Sequence, residues 1–171
     1  HDIFAQSILI TEDKKLIQSV NLSLKNQLQR LPKRKIATQS LKNFGLAILT
    51  KGKTRIAEIV NIIAPEHLEL YTNYNNKLLN KVKNAGSIFI GKFSPEAIGD
   101  YIAGPNHVLP TSGSARFSSG LSVNDFLKRH SLIKITKTGI ERLGSSVINL
   151  AKHENLDGHA NSVKMRLKKD Y

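Results

Sequence analysis

Residues 99–111, Gly-Asp-Tyr-Ile-Ala-Gly-Pro-Asn-His-Val-Leu-Pro-Thr, combine two glycines, two prolines, a carboxylate and an imidazole in one short run. Glycine opens backbone angles closed to other residues and proline locks its own, so the run reads as a loop pinned in one shape, neither helix nor strand. Its two chemically competent side chains are Asp100 and His107. A carboxylate offers hard oxygen donors to a cation, and imidazole either ligates a metal or exchanges protons near neutral pH. On residue type alone the same pair also fits an ordinary loop with a surface Asp and a surface His.

Elements on either side must hold such a loop. Residues 7–10 (Ser-Ile-Leu-Ile) read as a buried strand ended by Thr11, which is placed to cap a helix. Leu16, Ile17, Val20, Leu24, Leu28 and Leu31 then recur at helical spacing until Pro32 closes the stripe. Residues 45–49 read as a second strand, followed by a helix carrying Ile56, Ile59, Val60 and Ile63, and residues 87–90 as a third strand. Ser94-Pro95-Glu96 has the order of a helix start, with Ser as N-cap and Pro at the first position. Strands alternating with helices predict an α/β domain with a parallel sheet, whose ligands gather at the carboxyl ends of the strands. Beyond about residue 117 the pattern changes. A helix is expected over 122–129, a short strand over 132–135, a helix opened by a capping box at 138–141, and a last basic helix from about Asp157. The expected division is 1–116 for the α/β domain and 117–171 for a small, mainly helical tail that is too small to bury much surface alone.

Composition narrows the class. A hydrophobic share of 40% over 171 residues suits a globular chain with a real core. No cysteine is present, which removes disulfides and thiolate chemistry and is compatible with a reducing cytoplasm. No apolar run approaches the length of a membrane span, so no membrane is expected among the partners. Lys and Arg number 26 against 13 acidic residues, a formal charge of +13. Such an excess suits a polyanion partner, yet the cations are spread along the chain with only short clusters at 33–35 and 168–169, and no aromatic-interleaved basic stripe appears. Most of the charge is therefore read as solvated surface, with nucleic acid as the minority reading of its partners.

The 99–111 run resembles a signature of the histidinol dehydrogenase family, and the resemblance extends along the chain. Asn61-Ile62-Ile63-Ala64-Pro65-Glu66-His67-Leu68-Glu69 resembles that family's catalytic Glu-His segment. Residues 117–126 resemble the block after the signature, Glu154-Asn155-Leu156-Asp157-Gly158-His159-Ala160 the ligand segment near its C-terminus, and the opening His1-Asp2 an earlier ligand segment. The resemblance implies an incomplete Rossmann-like domain and NAD-dependent oxidation of L-histidinol, through the aldehyde, to L-histidine, the last steps of histidine biosynthesis. It implies one Zn²⁺ per site, held by His1, Asp100 and His159 together with a Gln upstream of residue 1. His67 would be the main general base and Glu66 the water-activating base. His107 and Glu154 would bind substrate, with Asp100 and His159 beside the metal also facing it. The resemblance further implies a cytoplasmic homodimer that exchanges its tail between subunits. Family members are longer, with a preceding half that carries the main NAD contacts, so this chain matches a C-terminal portion and is expected to be inactive alone. A truncated pseudoenzyme, or a basic binding module that has kept the fold without the chemistry, would carry the same residues. His130 and His153 match no family position and are read as solvated, and Asn155 stands where the family has Gly.

Overall fold

The computed structural model describes residues 2–167, so His1 lies outside the described residues. The chain forms two compact units, one up to Phe126 and the other from Leu127 onward. The first has the order β1 (Ile8–Thr11), α1 (Lys14–Arg30), α2 (Arg34–Phe44), β2 (Leu46–Leu49), α3 (Lys53–Ile63), β3 (His67–Leu70), α4 (Asn75–Leu79), β4 (Ser87–Ile90) and α5 (Glu96–Tyr101). Short 3-10 turns follow at Ser114–Arg116 and Val123–Phe126. The second unit holds α6 (Lys137–His153) and α7 (Asp157–Leu167). This is the expected α/β architecture with a helical C-terminal part, its strands arranged as two parallel pairs. Ile8 faces Leu46 in the first and His67 faces Ser87 in the second.

The core forms where the apolar face of α3 meets β3. Ile56, Ala57 and Val60 of α3 pack with Leu68 and Leu70 of β3 and with Leu78 of α4, and Ile10 of β1 lies against them. Leu78 is 1% exposed, and burying such a side chain is worth about 2 kcal/mol. Because side chains alternate along a strand, committing Leu68 and Leu70 to the core turns His67 and Glu69 to the opposite face. That alternation leaves His67 outside the core.

Several local expectations are corrected. Thr11 does not cap α1: its carbonyl accepts from Thr50 N–H in continuation of the β1–β2 pairing, and Asp13 caps instead, accepting from Lys15 N–H at 2.7 Å. Pro95, not Ser94, is the N-cap of α5, and it provides no side-chain cap. Glu66 lies just ahead of β3. Pro65 and Glu66 offer their carbonyls to Gly86 and Ser87 N–H, at 2.9 and 2.8 Å, so the backbone is committed to strand pairing. The helix expected over 122–129 shrinks to a 3-10 turn closed by the Asp125 carboxylate on Ser122 N–H, at 2.6 Å. Residues 132–135 form no strand, since no neighbouring strand pairs with them among the described residues. Helix α6 starts at Lys137, with Thr136 as N-cap accepting from Gly139 N–H at 3.1 Å. The 99–111 run is not loop throughout: Gly99, Asp100 and Tyr101 form the second half of α5.

In the second unit α6 and α7 pack closely through small residues, with Ala151 and Ala160 buried and Gly144 facing Leu167. Asn155 carries the turn between them at φ 58°. Leu156 N–H donates to Ala151 O at 2.8 Å and Asn155 N–H to Lys152 O at 3.0 Å, the bond pair of a Schellman cap. Asn tolerates the left-handed region better than other non-glycine residues, so the turn is kept without Gly. No helix is long and apolar enough to cross a membrane among the described residues.

Candidate active site

The site forms where α5 crosses the face of β3 and β4 turned away from the core. His67 Nε2 lies 3.6 Å from Asp100 Oδ1 and 3.7 Å from Glu96 Oε1. One ligand atom from each of the three residues falls within 4.8 Å of the others, close enough to share one cation. These separations exceed hydrogen-bond length, and His67 Nε2 is buried with no hydrogen-bond partner. A buried polar nitrogen without a partner is costly, so the atom is set to receive a proton, a ligand or a substrate group.

Electrostatics sharpen the picture. The Glu96 carboxyl titrates above the ordinary range, because burial disfavours its charge and Asp100 both hydrogen-bonds and repels it, while His67 opposes the shift. A third acid, Glu69 on β3, anchors α5 by accepting Glu96 N–H at 2.9 Å. Two carboxylates and an imidazole at one end of a strand–helix junction provide proton acceptors of different strength side by side.

The whole chain can be compared with known proteins at this point. The family model described as histidinol dehydrogenase matches residues 1–167. The histidinol dehydrogenase of Pelagibacter ubique is 53% identical over 99% of this chain and 40% of its own length. That of Clostridium acetobutylicum is 49% identical over 98% of this chain and 39% of its own length. A crystal structure of histidinol dehydrogenase from Elizabethkingia anophelis superposes with a TM-score of 0.90 at 38% identity, covering 98% of this chain and 38% of the other. The chain belongs to the histidinol dehydrogenase family. It spans about 40% of the length of the curated relatives it matches.

Within this family member, His67 and Asp100 are brought together, as the first residue of β3 and the fifth of α5. Glu66 lies immediately ahead of β3 and is half-buried. His107 sits on the exposed part of the loop after α5. No hydrogen bond or ion pair among the described residues joins either side chain to the His67 cluster. Glu154 is the C-cap of α6 and His159 lies in the first turn of α7, both exposed and both in the second unit. Glu96 is the member of the cluster that sequence reasoning missed as a site residue. Its signal was the i, i+4 spacing to Asp100, which places two carboxylates on one helical face. A loop over 99–111 gives that spacing no meaning, and only the helix does.

Proposed function

We propose that this chain forms the part of a histidinol dehydrogenase that carries its proton-transfer groups. The observation that supports the reading most directly is the partnerless, buried Nε2 of His67 at 3.6 Å from the Asp100 carboxylate, in a chain matched to the family over residues 1–167. Oxidation of a primary alcohol to an acid proceeds in two stages, each passing two electrons to one NAD. The first removes the alcohol proton, and the second needs water added to the aldehyde. Imidazole suits repeated proton acceptance near neutral pH, so His67 takes the alcohol proton and serves again in the second stage. Glu66 draws the proton from the attacking water. His107 and Glu154 bind the polar ends of histidinol, with Asp100 and His159 alongside. No residue of this chain is assigned to NAD.

The donor set fits a zinc ion. The set the resemblance implies, the imidazoles of His1 and His159 with the Asp100 carboxylate and no thiolate in the chain, has the mixed N and O donors that a borderline cation takes. His1, Asp100 and His159 would hold it. Bound there, the metal would orient the substrate alcohol and polarise its oxygen. In this reading the working enzyme is a homodimer whose tails lend Glu154 and His159 to the partner copy's site. The test is a fusion in which this chain replaces the matching 40% of the Pelagibacter ubique relative. NADH formation from L-histidinol at a rate near that of the parent supports the reading. A folded, NAD-binding fusion that leaves L-histidinol unoxidised would overturn it.

A further inference from the structure

Helix α5 has little of its own to fix its position. It is six residues long and Pro95 gives it no side-chain cap, and a helix that short is unstable unless packing holds it. Among the described residues, two contacts tie it to the β3–β4 face. One is the bond from Glu96 N–H to Glu69 in its first turn. The other is at Gly99, where a Cβ built on the backbone would stand 2.6 Å from Cε1 and 2.7 Å from Cζ of Phe89. Real side chains do not approach that closely, so the ring edge rests on a bare α-carbon that only glycine supplies.

Phe89 lies opposite Glu69 in the parallel ladder and shares its face. Its ring is also packed beside the imidazole of His67, with centroids 6.0 Å apart and planes inclined at 33°. One half-buried ring therefore touches the helix residue preceding Asp100 and the imidazole that Asp100 approaches. Any methyl at position 99 has two outlets. It can lift α5, which carries Asp100 away, or it can push the Phe89 ring, which presses on His67. Either movement changes the same distance.

We infer that the Phe89–Gly99 contact is the spacer that sets the separation between His67 and Asp100, which makes both positioning residues for the proton-transfer site. The functional weight of that separation rests on the proposed role of His67, but the spacing itself does not. The 171-residue chain, isotope-labelled, tests it by the nuclear Overhauser effect between the His67 ring proton Hε1 and the Asp100 Hβ protons. The effect is expected in the unmodified chain and lost in Gly99→Ala, with the amide spectrum of α6 and α7 unchanged. The double variant Gly99→Ala/Phe89→Leu is expected to recover it, because the smaller side chain vacates the space the new methyl needs. An effect that is absent from the unmodified chain, persists in folded Gly99→Ala, or stays lost in the double variant overturns the inference. If Gly99→Ala does not fold, a folded double variant showing the effect supports the inference and an unfolded one overturns it. A fusion enzyme that fails to oxidise histidinol while these effects follow the expected pattern counts against the proposed function alone.

Discussion

In the proposed function, His67 takes its task from its surroundings. A histidine in solution is an unremarkable base. Here its Nε2 is buried without a partner, between two carboxylates at 3.6 and 3.7 Å. In the fusion enzyme His67→Asn is expected to slow both oxidation stages by at least about 100-fold, the typical contribution of a positioned general base. Glu66→Gln is expected to slow the second stage selectively, so that stopped-flow assays started from the aldehyde lose more rate than those started from the alcohol. Equal losses would remove the division of labour. A second residue-scale expectation concerns Tyr74, whose hydroxyl donates to Glu12. That bond raises the phenol from 10.0 to about 12 and lowers the Glu12 carboxyl. The raised phenol contributes stability that is full below pH 10 and fades as pH climbs toward about 12. The lowered carboxyl contributes stability above its unfolded value of 4.5 that fades as pH falls. Tyr74→Phe should therefore flatten both limbs of the stability–pH curve in urea titrations, and unchanged limbs would contradict the linkage. Of the cluster, Asp100 and His67 were legible because they sit in multi-residue blocks of the family pattern. Glu96 was not, because its meaning depends on a helix that the glycines and prolines downstream disguised.

Elements were legible where apolar spacing is long and obscure where a backbone partner decides. The stripe from Leu16 to Leu28 announces α1, and the runs at β1, β2 and β4 announce strands. β3 is different. His-Leu-Glu-Leu alternates polar and apolar residues where the other strands are mostly apolar runs, and Pro65-Glu66 ahead of it has the order of a helix start. What settles it is pairing with β4 and the left-handed Ala64, at φ 50°, that ends α3. Residues 132–135, Leu-Ile-Lys-Ile, are the converse, with two β-branched residues yet no partner strand among the described residues, which propensity alone does not foresee. The α6–α7 turn offers a sharp element-scale test. Asn155 at φ 58° is exposed, so changes there act chiefly through the backbone. Asn155→Gly is expected to hold or raise stability by a few tenths of a kcal/mol, while Asn155→Ala should cost about 1 kcal/mol. Urea unfolding followed at α6 and α7 amides would measure both, and an Ala variant as stable as the parent would show that the left-handed cap is not what holds the hairpin.

The molecule as a whole presents a balance between apolar surface and charge that neither residues nor elements reveal singly. Along α6, Leu143, Val147 and Leu150 lie on one helical face and are 48%, 43% and 66% exposed, a stripe that α7 leaves uncovered. The unit from Leu127 onward is too small to be stable with such surface in water. The proposed homodimer would cover it. Yet each copy carries a formal +13, so two copies repel one another over a range set by the ionic strength, about 10 Å at 0.1 M salt. An apolar stripe and a like-charged surface pull in opposite directions, and salt distinguishes them. Association through the stripe should strengthen as salt rises, because screening removes repulsion while apolar burial is retained. Binding to a polyanion would weaken steeply over the same range through counterion release. Sedimentation equilibrium of the 171-residue chain at low and moderate salt is therefore expected to show a dimer favoured by salt. Leu150→Glu, which puts a charge in the middle of the stripe, should return the chain to monomer at every salt concentration. A chain that stays monomeric as salt rises, or a Leu150→Glu variant that dimerises like the parent, would remove α6 from the interface and with it the proposed exchange of tails.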